Sequence, residues 1–308
     1  MKIGYPCINL TIGCKGDRTF RLKSYSEERL IKTVDNNLDC LLKMLRFNTR
    51  HNILFFRITS DLVPFASHPV CQFKWQKHFQ DKLREIGDIV KACNVRISMH
   101  PDQFTLINSL NSRVLEDSLG ELIYHSQVLD LMEVDTSAKI QIHVGGVYGD
   151  KEKSTKRFVQ RYEKLDKIIK RRLVIENDDR LYSLKDCLNI NARTGIPVLF
   201  DVFHHELNNS GEATKNAFKL FTKTWKGKDG IPMVDYSSPR TDALKRKHAE
   251  SINLKHFRDF LEKTELFDFD VMLEIKDKEK SAVKAVRTVS NDNRFMKNRC
   301  SEIIFSRN

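Results

Sequence analysis

The chain has 308 residues, of which 40% are hydrophobic and 31% charged, an ordinary balance for a globular protein with a full apolar core. No apolar run approaches the roughly 20 residues that a membrane-spanning helix needs, which argues against a membrane protein. The 53 Lys and Arg residues against 41 Asp and Glu give a net charge of +12. This surplus favours an anionic partner such as nucleic acid, although a merely soluble basic protein could carry the same charge.

The seven cysteines are odd in number and include no Cys-x-x-Cys pair. This pattern argues against a disulfide framework and against a thiolate zinc site, and it predicts reduced thiols in a cytosolic chain. The N-terminal residues 1–5 are typical of a first strand rather than of a signal peptide.

Strand and helix signals alternate along the chain. Apolar runs predict eight strands, at residues 2–5, 52–58, 95–99, 139–144, 173–175, 196–206, 231–234 and 271–275. Apolar residues at helical spacing predict helices between them, at residues 30–45, 79–90, 112–134, 158–169, 213–224 and 252–261. Ser24 with Glu27 predicts a capping box for the first helix, and Ser183 predicts the cap of a short helix after the fifth strand.

Eight strand–helix units of about 30–40 residues match a closed (β/α)8 TIM-type barrel in number and length. We therefore predict one α/β barrel domain over residues 1–308. An open doubly wound sheet is the alternative, but the chain has no Gly-x-Gly-x-x-Gly turn after the first strand. It also has no phosphate-loop motif, so no nucleotide cofactor is expected.

Imidazoles and carboxylates stand at the ends of six consecutive predicted strands. These strand-end residues are His100, His143, Glu176, Asp201, Asp235 and Glu274. His204 follows the sixth strand, His68 lies in the loop after the second, and His248 lies in the loop after the seventh. Because the carboxyl ends of barrel strands converge on one mouth, these side chains are predicted to share a pocket.

These ligand types predict a metal cluster at the carboxyl-terminal face of the barrel. Any one of them alone is more often a helix-cap partner or a satisfied polar group, but structural reasons alone do not explain six consecutive strands that end in metal-type ligands. Imidazoles and carboxylates without thiolates suit manganese, zinc or iron, and a carboxylate-rich part suits magnesium or manganese. The set would overfill one ion, so two or three are expected, an arrangement that serves phosphodiester cleavage. Ordinary polar roles are predicted for His51, His78, His125 and His256, and His205 is predicted to point away.

Six separate motifs occur in order along the chain. They are Gly4-Tyr5-Pro-x-Ile-Asn9, Phe56-Arg57-Ile-Thr-Ser60-Asp61-Leu-Val-Pro64-x-x-Ser67-His68, Ser98-Met-His100-Pro-Asp-Gln103-Phe104, Ile142-His143-Val-Gly-Gly146, Ile175-Glu176-Asn177-Asp178 and Asp201-x-x-His204-His205. In these motifs the chain resembles the ultraviolet damage endonucleases, manganese-dependent repair enzymes whose barrel is related to that of the abasic-site endonucleases. The likeness runs from the first strand to Glu274.

The resemblance implies a ligand set for two or three Mn²⁺ ions, with Mg²⁺ or Zn²⁺ as alternatives. The nine implied ligands are His68, His100, His143, Glu176, Asp201, His204, Asp235, His248 and Glu274. The implied catalytic residues among them are His100, His143, Glu176, Asp201 and Glu274, with Glu176 placed to bridge two ions. Many members have Lys-x-His at the end of the seventh strand, with a modified lysine, whereas this chain has Met233-Val-Asp235. An anionic ligand thus replaces a neutral one, and altered metal affinity is expected.

The resemblance also implies the substrate, duplex DNA with ultraviolet photoproducts such as pyrimidine dimers and 6-4 products. Incision is implied on the 5′ side of the lesion by metal-assisted hydrolysis, leaving a 3′-hydroxyl and a 5′-phosphate, and it requires no Ser or Cys nucleophile. A cross-linked pyrimidine pair stacks poorly, so bending the duplex and extruding the lesion costs less there than in sound DNA.

Gln103 and Phe104 lie just beyond His100, where they are placed to insert into the duplex as a wedge. The alternative for Phe104 is packing beneath a loop. Tyr5 and Asn9 are expected to line the lesion pocket. The residues expected to meet phosphates are Lys15, Arg18, Arg21 and Arg57.

Three other functions are compatible with parts of this pattern. An abasic-site endonuclease would use nearly the same metal ligands and differ in the wedge and the lesion pocket. A metal-dependent sugar isomerase would use two metals in a barrel but has no need of a +12 chain. A DNA-binding module without catalysis would explain the charge and not the ligands. We expect a cytoplasmic, nucleoid-associated monomer with no membrane partner.

Overall fold

Eight parallel strands close into a barrel in the computed structural model, which describes residues 1–239 and 247–298. The strands are β1 (Ile3–Pro6), β2 (Phe55–Ile58), β3 (Arg96–Met99), β4 (Lys139–His143), β5 (Leu173–Glu176), β6 (Val198–Asp201), β7 (Met233–Tyr236) and β8 (Asp270–Leu273). Each strand pairs with the next in chain order, and β8 closes the ring by pairing with β1. The predicted TIM-type barrel is confirmed, and the open sheet is wrong.

Helices connect the strands. They are α1 (Glu27–Arg50), α2 (Trp75–His78), α3 (Gln80–Ala92), α4 (Ser112–Leu131), α5 (Lys151–Lys164), α6 (Lys167–Lys170), α7 (Leu184–Thr194), α8 (Val202–Leu207), α9 (Thr214–Phe221), α10 (Leu254–Lys263) and α11 (Glu279–Thr288). The predicted apolar stripe of α1 is buried along its whole length, at Leu30, Val34, Leu38, Leu41 and Leu45. No helix in the described parts of the chain is long and apolar enough to cross a bilayer.

Helix starts follow capping chemistry, with one shift from the prediction. Ser26, and not Ser24, caps α1, because its side chain accepts the N–H of Arg29 at 3.2 Å. The prediction at Ser183 is confirmed: α7 begins there, and the Ser183 N–H donates to the Asp186 carboxylate at 2.9 Å. The helix α11 was not among the predicted elements.

The cysteine prediction is wrong for part of the chain. Cys14, in the loop after β1, forms a disulfide with Cys40 in α1, with 5.8 Å between the Cα atoms. Cys93 is also disulfide-bonded, whereas Cys7, Cys71 and Cys187 are free. Cysteine spacing did not predict the Cys14–Cys40 disulfide, because this bridge joins a loop to a helix. The two cysteines come close only when the folded chain packs that loop against the helix.

The barrel interior is polar at alternate strand positions. In β4 these positions carry Lys139, Gln141 and His143, while the intervening isoleucines face the helices. Near the amino ends of the strands, Lys139 Nζ lies 2.7 Å from the carboxylate of Asp229. The isoleucines of β4 therefore form its helix-facing side. Its inner side carries charged and polar groups that extend from the amino end of the strand to the mouth of the barrel.

Candidate metal centre

Three predicted ligands meet at the ends of β3, β4 and β5. Nε2 of His143 lies 3.0 Å from Oε1 of Glu176, and Nε2 of His100 lies 3.7 Å from the same oxygen. Ligand atoms of all three residues lie within 4.8 Å of one another. His143 and Glu176 are register partners of neighbouring strands, so the barrel itself sets their separation. We call these three residues the imidazole group.

Three more predicted ligands, Asp201, Asp235 and Glu274, come from the ends of β6, β7 and β8. Their carboxylate oxygens also lie within 4.8 Å of one another, and we call them the carboxylate group. Asp201 and Asp235 are register partners and are at most 1% exposed. The strand-end prediction is therefore confirmed in its geometry: six residues from six consecutive strands gather at one mouth as two adjacent groups.

His204 and His248 lie beside these groups. In the neutral ring of His204, Nδ1 donates to the carbonyl oxygen of Asn177 at 3.1 Å, because a carbonyl can only accept. That bond leaves the lone pair of Nε2 free for a ligand, the usual arrangement of metal-binding histidines. His248 Nε2 lies 3.6 Å from a Glu274 oxygen. Both histidines line the cavity above the site.

His68 lies outside both groups. It stands in a separate cavity of about 760 Å³ with Asp61, Phe65 and Asp102 among its neighbours. Its Nδ1 accepts the N–H of Val70 at 3.0 Å. A metal role for His68 stays a prediction from the resemblance.

Burial and charge shift the pKa values of the site. Burial alone would lower the pKa of His143, but the attraction of Glu176 outweighs it and raises that pKa to about 9. Burial likewise opposes the charge of His204, and Asp201 raises its pKa to about 9. Burial is also the main cause that raises the pKa of Asp201 to about 7. Without metal, the two imidazoles therefore hold protons at neutral pH, and a bound cation would displace them.

The donor set fits divalent metal ions. Glu176 joins the carboxylate group to make four converging carboxylates, and in the described part of the chain Arg57 is the one Lys or Arg in contact with them. His143 Nδ1, His248 Nδ1 and Gln141 Oε1 are buried without a hydrogen-bond partner, and such groups call for an explanation such as a bound ion. Imidazole nitrogen mixed with carboxylate oxygen suits manganese, zinc or iron.

Arg57 lies beneath the carboxylate group, and the predicted phosphate contact does not fit this position. Its side chain is 3% exposed, and Nη2 donates to both oxygens of Asp235 at 2.8 and 2.7 Å. Nη1 donates to Glu274. Although burial opposes its charge, Asp235 and Glu274 raise the pKa of Arg57 above the usual value. Arg57 is therefore an internal counter-ion of two candidate ligands.

Two positioning residues escaped the sequence prediction. Gln141 Nε2 donates to Glu176 at 2.5 Å and to Asp235 at 2.8 Å, so one amide ties the two groups together. The Asn177 side chain donates to the Asp201 carbonyl at 2.9 Å and accepts the Asp201 N–H at 3.0 Å. The signal for Gln141 was present: it lies two positions before His143 in β4 and so on the same face of the strand.

Tyr5 and Asn9 also lie below the surface. Tyr5 is 0% exposed and Asn9 4% exposed. The Tyr5 hydroxyl donates to Asn48 at 2.7 Å and accepts from the Asn9 amide at 2.9 Å. In this arrangement the pair supports the loop after β1, and direct lining of a lesion pocket does not fit. The exposed cations of that loop, Lys15, Arg18 and Arg21, remain free to meet phosphates as predicted.

A cavity of about 430 Å³ opens above the imidazole group. Gln103 lies on its rim, next to Phe104, whose side chain is 82% exposed. Phe104 is thus not packed beneath a loop, and that alternative is wrong. Arg180 and Leu181, in the loop after β5, also line this cavity, and the sequence did not point to either of them.

The loop that carries Gln103 and Phe104 is anchored from α5. Arg157 Nε donates to the carbonyl of Asn108 at 2.6 Å. Arg161 Nη1 donates to the carbonyl of Ile107 at 2.8 Å and to that of Ser109 at 2.5 Å. These bonds to the main chain hold the base of the loop while its tip stays exposed.

The remaining histidines lie away from the site, as predicted. His125 is fully buried in α4, where Nδ1 donates to the carbonyl of Glu121 at 2.7 Å. The ring of His205 packs 4.9 Å from that of Phe200, on the helix-facing side of β6.

Comparison with known proteins agrees with this site. The model of one family, described as UV-endonuclease UvdE, matches residues 1–305. The chain belongs to this family. It is therefore an enzyme of the UV damage endonuclease type. Its likeness to the UV DNA damage endonuclease of Clostridium perfringens strain 13 is 40% identity over 298 residues, covering 96% of this chain and 72% of that protein.

Solved structures extend the comparison. The crystal structure of SacUVDE superposes with a TM-score of 0.91 at 45% identity, covering 96% of this chain and 99% of that one. Endonuclease IV from Thermus thermophilus reaches a TM-score of 0.55 at 12% identity, with 80% and 93% coverage. The second likeness shows a shared barrel alone. For this UvdE family member, the first supports a common fold throughout the described residues.

Proposed function

We propose that the chain is a metal-dependent DNA repair endonuclease that incises duplex DNA on the 5′ side of ultraviolet photoproducts. The products are a 3′-hydroxyl and a 5′-phosphate. One observation carries the proposal. Two groups of ligands, the imidazole group and the carboxylate group, meet around Glu176 at the floor of a cavity with an exposed aromatic side chain at its edge.

The residues of the site divide the chemistry among them. His100, His143 and Glu176 would hold one cation, and Asp201, Asp235 and Glu274 a second, with His204 and His248 near enough to take part in a third. Bound manganese, or magnesium or zinc in its place, would lower the pKa of water and neutralise charge at the phosphate.

Cavity walls without a serine or cysteine favour direct hydrolysis. Among the described residues that line the cavity there is no Ser or Cys, so no covalent intermediate with the chain is expected. Gln141 fixes the spacing of Glu176 and Asp235, and Asn177 fixes Asp201 through its backbone. This preorganisation keeps the ligands in place as charge develops on the phosphate.

Phe104 and Gln103 supply the lesion selectivity in this proposal. The exposed ring replaces stacking lost at the damaged pair, and the amide bonds to orphaned bases. The +12 charge supports duplex DNA as the partner. Because chromosomal DNA is the proposed substrate, we expect the protein in the cytoplasm with the nucleoid. We expect it to act there as a monomer.

Nicking of supercoiled plasmid tests the function. We expect nicks in irradiated plasmid with Mn²⁺, and none in unirradiated plasmid or with EDTA. On a labelled duplex with a single pyrimidine dimer, the cut should fall 5′ to the dimer and leave an end that a DNA polymerase extends. Cleavage of an abasic duplex without nicking of irradiated plasmid would instead identify an abasic-site endonuclease.

Glu176→Ala tests the metal site in the same assay. We expect loss of incision with lesion binding still detectable, because Glu176 serves the ligand groups and not the wedge. Glu265→Ala, an exposed carboxylate beyond α10, is the matched control and should incise normally. Full turnover by Glu176→Ala would exclude this metal mechanism.

A further inference from the structure

The turn that follows β5 is built on one aspartate. The carboxylate of Asp178 accepts the backbone N–H of Arg180 at 2.8 Å, of Leu181 at 2.5 Å and of Tyr182 at 3.0 Å. The Asp178 N–H closes the turn by donating to the Tyr182 carbonyl at 2.9 Å. Asn208 adds a bond to the Asp178 carbonyl at 3.0 Å. The turn is therefore rigid, and it begins two residues after Glu176.

Arg180 is held by this turn on the rim of the metal cavity. It is the one Lys or Arg among the described residues that line the cavity. Its side chain is 65% exposed, and its contact is an ion pair of 3.3 Å with the adjacent Asp179. An exposed ion pair of this kind contributes roughly 0–1 kcal/mol, so an incoming phosphate can replace it at little cost.

The other arginine of the site cannot serve the same purpose. Arg57 is 3% exposed and already paired with Asp235 and Glu274. Among the described residues that line the cavity, Arg180 is therefore the one side chain with a permanent positive charge that an entering phosphodiester meets. The guanidinium fork suits a phosphate because it can donate to two oxygens at once.

We propose that Arg180 binds a phosphate of the incised strand at the metal centre, in the cavity that Gln103 of the wedge also lines. The inference rests on the proposed function, since it names a contact within the same site. The Asp178 turn fixes the backbone of Arg180 at the cavity rim before DNA arrives, so the contact requires no loop closure. On binding, the weak ion pair with Asp179 is exchanged for the bond to phosphate.

Three variants test the contact on a duplex with a single pyrimidine dimer. Arg180→Ala should slow single-turnover incision by about 10- to 100-fold, somewhat less than the loss of a buried donor to a transition state. Arg180→Lys should restore part of the rate, because it keeps the charge without the fork. Arg84→Ala is the matched control: Arg84 is 43% exposed on α3, paired with Glu133 at 3.1 Å, and far from the cavity.

Two further readouts separate a phosphate contact from a structural role. Bound manganese per chain and the melting temperature should be unchanged in Arg180→Ala. The slope of log affinity for duplex DNA against log salt should become shallower by about 0.9, the value for one phosphate contact. Lost manganese, or an unchanged rate together with an unchanged slope, would overturn the proposal. If wild type fails to nick irradiated plasmid but the slope still changes, the proposed function fails and the phosphate contact stands.

Discussion

Arg57 sets the electrostatic balance of the site at the scale of single residues. Asp235 and Glu274 are held close together below the mouth, where water does not screen their repulsion. The guanidinium of Arg57 contacts both, and the amide of Gln141 satisfies Asp235 further. Burial of so many carboxylates is tolerable only with internal cations, and among the described residues Arg57 is the Lys or Arg that contacts them.

Arg57→Met is predicted to destabilise the metal-free protein by about 3–5 kcal/mol, because it leaves the buried Asp235 and the partly buried Glu274 without their counter-ion. Urea unfolding in EDTA measures this loss. Adding Asp235→Asn in the same chain should recover part of it, since the second change removes one of the unpaired charges. Arg84→Met, at an exposed position, should change the unfolding free energy by less than about 0.5 kcal/mol. A stable Arg57→Met protein would show that these carboxylates need no internal cation.

Residue chemistry at strand ends could be predicted, and depth below the surface could not. The gathering of His100, His143 and Glu176 follows from barrel topology alone. Tyr5 and Arg57 were assigned to DNA from their residue types and places in the strands. Tyr5 instead bonds to Asn48 of helix α1, and Arg57 points into the barrel, where Asp235 pairs with it. Such partners are 43 and 178 residues away in the chain, beyond the reach of any local pattern.

At the scale of elements, the strands themselves could be predicted from the sequence, but the residues on their inner face could not. Their number and order could be read from apolar runs, since every strand of a barrel is covered by helices on its outer side. Arginine and glutamine inside these runs were passed over, although a period of two puts them on the inner face. In a barrel this inner face is a core of its own, and in β4 it is polar, at Lys139 and Gln141.

At Gly87, helix α3 packs directly against the backbone at the end of α4. A Cβ at this position of α3 would overlap the carbonyl oxygen of Met132, the residue that ends α4. Gly87→Ala is therefore predicted to destabilise the protein by at least about 1–3 kcal/mol through overpacking. Thermal and urea unfolding measure it.

Gly120→Ala in α4 is the matched control. A Cβ there meets Ser67 at an ordinary 3.6 Å, so better helix propensity should stabilise the protein by up to about 1 kcal/mol. Equal stability of the two alanine variants would mean that α3 and α4 do not pack this closely.

Charge on the whole molecule is divided between mouth and surface. The chain carries +12 overall, yet four carboxylates converge at the floor of the cavity. Duplex DNA is thus attracted by the surface as a polyanion, while the cavity floor accepts a phosphate only with cations present. Exposed apolar side chains, Leu10, Phe104 and Leu181, stand in loops after β1, β3 and β5 around the same mouth. Attraction and discrimination should therefore depend on different groups.

Salt can separate these two contributions. Affinity for unirradiated duplex should fall steeply as potassium chloride rises from about 50 to about 300 mM, because phosphate contacts release counter-ions. The ratio of affinities for irradiated and unirradiated duplex should change little over that range, since the wedge is uncharged.

Phe104→Ala should reduce the ratio of affinities for irradiated and unirradiated duplex by about 5- to 150-fold, which corresponds to the roughly 1–3 kcal/mol of one aromatic stacking contact. The salt slope should stay as in wild type. Fluorescence anisotropy with both duplexes measures all three quantities. Leu266→Ala, which removes an apolar side chain 70% exposed at the other end of the barrel, should alter neither slope nor ratio. If Phe104→Ala still discriminates irradiated from unirradiated duplex as wild type does, lesion recognition lies in another part of the mouth. A changed salt slope in that variant would mean that the wedge loop also positions phosphate-binding cations.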